Sequence, residues 1–183
     1  MSNPLLAQAT RIPLSDEDIK TILNGEVNVI DYSQLSDFLD INELLEPYNR
    51  VVIRYITQVN YGHWTCVFRK GTTIYVFDSY GCFPDTQLDR IPDSLRRKTN
   101  QSDPHLTRML LQWMDNGGKV DYNQYKLQGS NTGLATCGDW VILRLLQSSL
   151  STNSFFKWVS NQSNRLSLTM DEFACMFILC LPN

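Results

Sequence analysis

The chain has little of what marks a secreted, membrane-spanning or nucleic-acid-binding protein. Its first residues lack the basic and apolar regions of a signal peptide, and its late apolar run, residues 173–181, falls far short of the roughly 20 residues that cross a bilayer. Sixteen basic residues against nineteen acidic ones give a net charge of −3, and the basic cluster at residues 96–98 lies among aspartates. This charge distribution does not favour DNA as a partner. We therefore expect no membrane partner and no general affinity for nucleic acid.

Paired cysteine and histidine spacings are missing as well. The chain has five cysteines, an odd number, and none is spaced from another cysteine or from a histidine in the manner of zinc ligands. This composition argues against a disulfide framework and favours a reducing compartment. Three cysteines are predicted to be buried and inert, namely Cys66, Cys175 and Cys180. Cys82 follows a turn, and its exposure is left open.

A chain of 183 residues can bury about 70 % of its unfolded surface, so it needs neither a metal nor a disulfide to fold. We expect a single domain over residues 1–183 that works as a monomer without a cofactor. Residues 1–14 are expected to form a flexible or extended arm.

Four polar residues in one chain order carry the chemistry. His63 opens a strand-like stretch, Asp78 follows the next one, and Gln128 precedes Cys137, which opens an apolar segment. They supply a base, an orienting carboxylate, an oxyanion donor and a nucleophile, the set that acyl transfer by a thiolate requires. This order therefore predicts a cysteine peptidase.

The spacing of the first two residues predicts that they are cross-strand neighbours. Residues 63–68 and 73–77 are rich in β-branched and aromatic side chains and are predicted to form a hairpin. A loop symmetric about Lys70 and Gly71 places His63 directly opposite Asp78, with Cβ atoms roughly 4.5–5.5 Å apart. A slip of one residue would put the two side chains on opposite faces, so this prediction depends on register.

The nucleophile is predicted to begin a buried helix, since residues 140–146 are apolar nearly all round. A helix N-terminus and a neighbouring imidazolium both favour a thiolate. Gly138 would let a substrate backbone approach the Cys137 amide, and that amide with the Gln128 carboxamide would hold the oxyanion. Gln124 is the alternative oxyanion donor.

These motifs resemble the adenovirus-type maturation protease superfamily, which also contains the SUMO and other ubiquitin-like-protein proteases. The matching residues are His63-Trp64, Phe77 to Gly81, Gln128 and Thr136 to Gly138. Papain-like enzymes run Cys, His, Asn along the chain, whereas this family runs His, Asp or Glu, Gln, Cys. The resemblance covers roughly Ser15 to the C-terminus.

Two further dipeptides make the chain most similar to the maturation proteases of virophages, Maverick/Polinton-type elements and other large double-stranded DNA viruses. They are Pro84-Asp85 after the Asp-Ser-Tyr-Gly turn and Tyr122-Asn123 before the glutamine. The chain departs from the family in a longer Gly-, Ser- and Asn-rich stretch between Gln128 and Cys137. Its acid is Asp, as in the SUMO proteases, where the adenovirus enzyme uses Glu.

The resemblance implies an α+β, papain-like or adenain-like fold, with a central mixed sheet flanked by helices and the nucleophile at the N-terminus of a buried helix. It implies an endopeptidase that cleaves next to small residues, above all glycine, in capsid or core precursors, within the virion and the host cytoplasm. Protein substrates are the expected partners, and an activating peptide stays open. Trp64 either walls the substrate groove or belongs to the core.

Three other functions stay open. A deSUMOylase or deubiquitinase-like isopeptidase would act on a host modifier. An acetyltransferase can use the same His-Asp-Cys order. An inactive interaction module is the third, and the intact set of site residues argues against it.

Capping patterns and periodicity predict the remaining scaffold. The predicted elements are a helix from Ser15 with Asp18 in its capping box and Gly25 at its end, a helix over residues 40–45, a strand over 51–57 followed by a connection over 58–62, a helix after Asp103-Pro104 that ends at Gly117-Gly118, one or two strands within 119–127, and a last helix that begins with Thr169 and Glu172. His105 is predicted to lie on the polar side of its helix, at the surface.

Overall fold

Five strands form one mixed sheet at the centre of the computed structural model, which describes residues 4–59, 61–131 and 133–182. The strands are β1 (Asn28–Asp31), β2 (Arg50–Gln58), β3 (Tyr61–Lys70), β4 (Thr73–Phe77) and β5 (Lys119–Tyr122), and they lie side by side in chain order. The two outer pairs, β1 with β2 and β4 with β5, are parallel, whereas β2, β3 and β4 are antiparallel.

Eight α-helices are assigned among the described residues. They are α1 (Pro4–Ala9), α2 (Asp16–Ile22), α3 (Ile41–Leu45), α4 (Asp93–Lys98), α5 (His105–Asp115), α6 (Cys137–Leu146), α7 (Thr152–Leu166) and α8 (Met170–Leu179), and two short 3₁₀ helices cover Tyr32–Asp37 and Thr86–Arg90. Within these residues, no helix combines the length and the apolar character that crossing a membrane requires.

The sheet is buried on both faces because its central strands are apolar at both odd and even positions. One face carries Trp64, Cys66, Phe68 and Phe77 and packs against α2, α6, α7 and α8. The other face carries Val67, Ile74 and Val76 and packs with residues of α3, α5 and the two 3₁₀ helices. The predicted α+β class, with a mixed sheet between helices, is confirmed.

Local capping signals located several helices correctly. Ser15 and Asp18 form the predicted capping box of α2, and Thr169 and Glu172 form that of α8. Asp40 caps α3 by accepting hydrogen bonds from the amides of Asn42 and Glu43. The predicted cap at Asp103-Pro104 differs, because α5 starts at His105 with Pro104 at its N-cap and without a side-chain cap.

The N-terminal segment is more structured than an arm. Residues 4–9 form α1, Leu6 is buried, and the Thr10 carbonyl accepts a hydrogen bond from the Ala135 amide. These contacts come from residues more than a hundred positions away, which is why local sequence pattern missed them.

Several other expectations need correction. Strand β3 already begins at Tyr61, inside the predicted connection, and only residues 119–122 of the stretch 119–127 form a strand. Cys180 is exposed because it follows the end of α8, while Cys66 and Cys175 are buried as predicted. His105 is half-buried, since it lies at the start of α5 beside the Tyr32 ring.

The β3–β4 hairpin is shifted by two residues from the predicted register. Lys70 pairs with Thr73 and Val67 with Val76, so the tip is Gly71-Thr72 instead of Lys70-Gly71. Gly71 has a positive φ of 58°, a conformation that a glycine adopts without strain and that suits a two-residue hairpin loop. Because side chains alternate with a period of two, a two-residue shift keeps every residue on its predicted face.

Candidate active site

His63 and Asp78 are in direct contact although they are not directly opposed. His63 lies near the start of β3, and Asp78 is the residue that follows the end of β4. The His63 Nε2 and Asp78 Oδ1 atoms are 3.0 Å apart, and both side chains are buried. The observed register makes them diagonal neighbours on one face, which is why the contact survives the error in the predicted pairing.

Each oxygen of the Asp78 carboxylate has a further donor. Oδ1 accepts from the Tyr80 amide at 2.8 Å, and Oδ2 accepts from Gln87 Nε2 at 2.7 Å. Burial acts to raise the pKa of Asp78, but the charge and hydrogen bond of His63 and the bonds from Gln87 and Tyr80 outweigh it, so the pKa is lowered. Asp78 is therefore an ionised carboxylate aimed at the imidazole.

His63 is held in its protonated form. Burial, the largest single effect, acts to lower its pKa, but the charge and hydrogen bond of Asp78 and the hydrogen bond and charge of Cys137 together raise the pKa to about 9. The Tyr80 ring stacks on the imidazole with centroids 4.9 Å apart. Because Nε2 faces Asp78, Nδ1 is the nitrogen left for the thiol, and the ring is fixed between the two groups.

Cys137 is the first residue of α6 and is 7 % exposed. Its thiol is close enough to His63 to contribute to the raised pKa of that histidine, and its charge is the second cause, after burial, that raises the pKa of both Tyr61 and Tyr80. Amide groups at a helix N-terminus carry partial positive charge, and Cys137 lies beside the first amides of α6. The structure thus brings the Cys137 thiol, the His63 imidazole and the Asp78 carboxylate together in one site.

Gln128 is buried and forms two hydrogen bonds with Ser79, the residue after Asp78. Ser79 Oγ donates to Gln128 Oε1 at 2.7 Å, and the Ser79 carbonyl accepts from the Gln128 amide at 2.9 Å. Because these bonds hold the oxygen of the carboxamide, its NH₂ group faces away from Ser79 and is available as a donor. Gln124 is exposed and lines a cavity with Ser151 and Asn153, so burial and contacts both favour Gln128 over Gln124 as the oxyanion donor.

Trp64 and Gly138, the two predicted substrate-binding residues, both contact the N-terminal segment. Trp64 is 5 % exposed, belongs to the same apolar cluster as Cys137, and donates its indole N–H to the Leu14 carbonyl at 3.1 Å. A Cβ at Gly138 would lie 2.9 Å from Leu14 Cβ, so the close approach of Leu14 accounts for the glycine. Contact of either residue with substrate stays a prediction.

Sequence reasoning missed the residues that hold the site. Ser79, Tyr80 and Gln87 contact Gln128, Asp78 and His63, and Asp171 contacts the segments on which Gln128 and Cys137 lie. A signal for the first two was present, because both lie within the motif from Phe77 to Gly81. No local pattern marked Gln87 or Asp171, which reach the site from separate helices.

Gly81 ends the turn after β4 at a position that only glycine can occupy without strain. Its φ is +71°, and a Cβ there would lie 2.8 Å from the Tyr125 carbonyl carbon. Both the backbone conformation and the close approach require glycine. This contact brings the turn that carries Asp78 and Ser79 against the stretch that leads into Gln128.

Other candidate residues lie away from the site. His105 contacts Tyr32, and a cavity of about 410 Å³ opens beside the stretch after Gln128 without Cys137 in its lining. Among the described residues, no group of three histidines, cysteines or acidic side chains is arranged to hold a metal ion.

Comparison with known proteins adds one close relative and several distant ones. No family model matches the chain. Uncharacterized protein V9 of Sputnik virophage is 34 % identical over 170 residues, which cover 92 % of this chain and 95 % of that protein. Among solved structures, the ASFV pS273R protease is similar with a TM-score of 0.47 and 14 % identity, over 94 % of this chain and 69 % of that one.

Two more solved structures show weaker similarity. The SUMO protease Ulp1, with its catalytic cysteine oxidised to a sulfenic acid, has a TM-score of 0.39 and 16 % identity, over 98 % of this chain and 83 % of its own. The central domain of the uncharacterized protein Lpg1148 from Legionella pneumophila has a TM-score of 0.38 and 14 % identity, over 91 % of this chain and 98 % of its own. All three TM-scores are low, so the function has to be inferred from the site itself.

Proposed function

We propose that this chain, which belongs to the same family as the Sputnik virophage protein V9, is a cysteine peptidase with Cys137 as nucleophile and His63 as base. One observation carries the proposal: a thiol at the N-terminus of a buried helix contacts an imidazole that a buried carboxylate holds in place. A histidine whose pKa is raised to about 9 is protonated at neutral pH, which favours a thiolate beside it.

The Cys137 thiolate attacks the peptide carbonyl carbon, and the carbonyl oxygen becomes an oxyanion that the Cys137 amide and the Gln128 carboxamide stabilise. His63 then protonates the leaving amine as the C–N bond breaks, which leaves a thioester on Cys137. His63 next takes a proton from water, whose oxygen attacks the thioester and releases the acid. Asp78 keeps the imidazole oriented through both steps.

The substrates we propose are capsid or core precursors cut next to small residues. A homologue encoded by a virophage and the resemblance to viral maturation proteases support this choice. The chain would act as a single monomeric domain inside the virion and the infected cell.

The function is tested by cleavage of defined substrates by wild type and by Cys137→Ala. The panel contains peptides with Gly-Gly flanking the scissile bond, matched peptides with Leu-Leu, virion precursor proteins, and ubiquitin or SUMO fusions. Cleavage of the glycine peptides and the precursors, absent in Cys137→Ala, is expected. Preferred cleavage of the fusions would make the enzyme an isopeptidase, and thioester formation from acetyl-CoA without peptide hydrolysis would make it an acetyltransferase.

The thiolate is tested separately by alkylation of each cysteine with iodoacetamide, followed by mass spectrometry across pH. Burial raises the pKa of Cys66 and of Cys175 to about 12, and Cys180 is exposed, so three cysteines serve as internal controls. Fast reaction confined to Cys137, and slowed in His63→Ala, is expected. Equal rates at Cys137 and Cys180 would contradict the proposed nucleophile.

A further inference from the structure

We propose that Asp171, near the start of α8, is a positioning residue that sets the distance between the oxyanion donor and the nucleophile. The inference rests on the proposed peptidase function. Asp171 is distant from the other site residues in sequence. Its proposed role is to hold the oxyanion donor at the correct position relative to the nucleophile.

Three donors, from the stretch after Gln128 and from the start of α6, converge on the Asp171 carboxylate. Oδ2 accepts from the Gly129 amide at 2.8 Å, while Oδ1 accepts from Thr136 Oγ1 at 2.6 Å and from the Trp140 indole N–H at 2.9 Å. The side chain is buried, with the residue 6 % exposed. A carboxylate is suited to this place because its oxygens accept hydrogen bonds, and all three partners donate.

The partners of this carboxylate are the immediate neighbours of two site residues. Gly129 follows Gln128, and Thr136 precedes Cys137. One carboxylate therefore binds the backbone amide of Gly129 at one end of the stretch that joins the oxyanion donor to the nucleophile, and the Thr136 side chain at the other end. A displacement of about 1 Å in such a stretch is enough to cost two orders of magnitude in rate.

Asp171 itself lies on a rigid support. The capping box of Thr169 and Glu172 fixes the first turn of α8, and Phe173 and Ala174 bury the helix in the core. A carboxylate on such an element positions its partners more accurately than one on a loop.

Gln128 is consequently held from two sides. Ser79 binds its carboxamide oxygen and its backbone amide, and Asp171 binds the amide of the next residue. With the side-chain oxygen and the following peptide both fixed, the NH₂ group of Gln128 has one direction in which to donate.

The test separates hydrolysis, which needs the oxyanion hole, from alkylation by iodoacetamide, which displaces iodide at a saturated carbon and forms no oxyanion. In Asp171→Asn, the oxygen can keep Thr136 and Trp140, but its NH₂ group then meets the Gly129 N–H and that bond is lost. We expect kcat for peptide hydrolysis to fall about 10- to 100-fold with KM nearly unchanged. The rate of Cys137 alkylation should stay within about twofold of wild type.

Thr169→Ala is the matched control, because it removes the cap of the same helix and leaves the Asp171 carboxylate in place. It should lower the melting temperature without the selective loss of kcat. If Asp171→Asn does not fold, Thr136→Val removes the shortest of the three bonds and should show the same selectivity with a smaller loss.

A double mutant decides between positioning and general stability. Adding Asp171→Asn to Gln128→Ala should cost little more than Gln128→Ala alone, because both act on one oxyanion donor. Losses that multiply, or a parallel fall in alkylation and hydrolysis, would overturn the inference.

Failure of the proposed function would look different. If wild type hydrolyses no peptide, hydrogen exchange of the Gly129 amide, measured by NMR, tests the contact itself. Faster exchange in Asp171→Asn than in Thr169→Ala supports the hydrogen bond between Gly129 and Asp171 as the positioning contact, and equal exchange in the two variants overturns the inference.

Discussion

A buried charged side chain lies at each end of α6, and its sign suits the helix dipole. Asp171 lies at the N-terminus and Arg144 at the C-terminus, but the two have different surroundings. At the N-terminus, Asp171 accepts hydrogen bonds beside Cys137, and His63 contacts the thiol. At the C-terminus, the Arg144 guanidinium donates to the carbonyls of Gln147 and Leu150, each at 3.0 Å. Acidic groups near the first turn and basic groups near the last turn both stabilise a helix.

The C-terminal end of α6 has a structural role, whereas the N-terminal end carries the reactive groups. Arg144 is 1 % exposed and lies over the rings of Phe68, Tyr75 and Phe155, with its Cζ atom 4.6, 5.6 and 4.9 Å from their centroids. Burial lowers the pKa of Arg144, and the aromatic rings shield its guanidinium from solvent. At the other end, charged groups meet a thiol. A buried charge by itself therefore does not mark a functional site, whereas one that contacts a nucleophile does.

The largest expected effect is at the N-terminal end. His63→Ala removes the base but leaves Asp78 bound by Gln87 and the Tyr80 amide, so the chain should still fold. We expect kcat/KM for peptide cleavage to fall about 1000- to 10 000-fold. The measurement is steady-state cleavage with circular dichroism as the folding control, and cleavage within tenfold of wild type would contradict the assigned base.

At the C-terminal end of α6, a substitution should lower stability and leave catalysis unchanged. Arg144→Ala removes a guanidinium that binds two carbonyls and three rings, so the free energy of unfolding should fall by about 3 kcal/mol. Arg144→Met keeps much of the volume and should cost less. Urea denaturation measures both variants, and kcat per folded molecule should stay near wild type; a selective loss of kcat would show that this end also serves catalysis.

The pH dependence of stability sharpens the comparison. The His63 pKa is raised from its ordinary value of 6.5 to about 9, so its contribution is fully present below pH 6.5 and is lost as the pH rises through 9. The Asp139 pKa is raised from 3.8 to about 7, mainly by burial, so its contribution is fully present below pH 3.8 and is lost as the pH rises through 7.

Melting curves at pH 6.5 and pH 9.5 measure mainly the first of these effects, because most of the Asp139 contribution is already lost below pH 7. We expect a lower melting temperature at pH 9.5, with a loss of about 3 kcal/mol at most, because one pKa unit is worth about 1.4 kcal/mol. His63→Gln should remove most of this slope. An equal slope in the variant would assign it to other groups.

Ser79→Ala should give the smallest effect. Without the hydroxyl, the Gln128 carboxamide loses the bond that holds its oxygen, so kcat should fall about tenfold while Cys137 alkylation stays unchanged. Gln124→Ala, at an exposed position, is the control and should stay within about twofold of wild type. A larger loss for Gln124→Ala than for Gln128→Ala would name Gln124 as the donor.

Much of the scaffold could be predicted because its signals are local. Capping boxes at Ser15 and Thr169 involve residues three apart, and the two apolar faces of the hairpin follow from alternation along each strand. The hairpin register was wrong because symmetry about Lys70-Gly71 was assumed, whereas the positive φ at Gly71 places the tip one residue later. The face of His63 and Asp78 was right because the error was an even number of residues.

The sequence by itself determined the residue types and order of the site and the apolar segment that buries α6, because composition, capping and periodicity act over a few residues. Only the tertiary structure decided how these parts meet. It placed Leu14 against Gly138, turned the Gln128 carboxamide with Ser79, and brought Asp171 to Gly129 across 42 positions of the chain. Such contacts join segments distant in sequence, and their distances depend on how whole helices pack, so no local pattern encodes them.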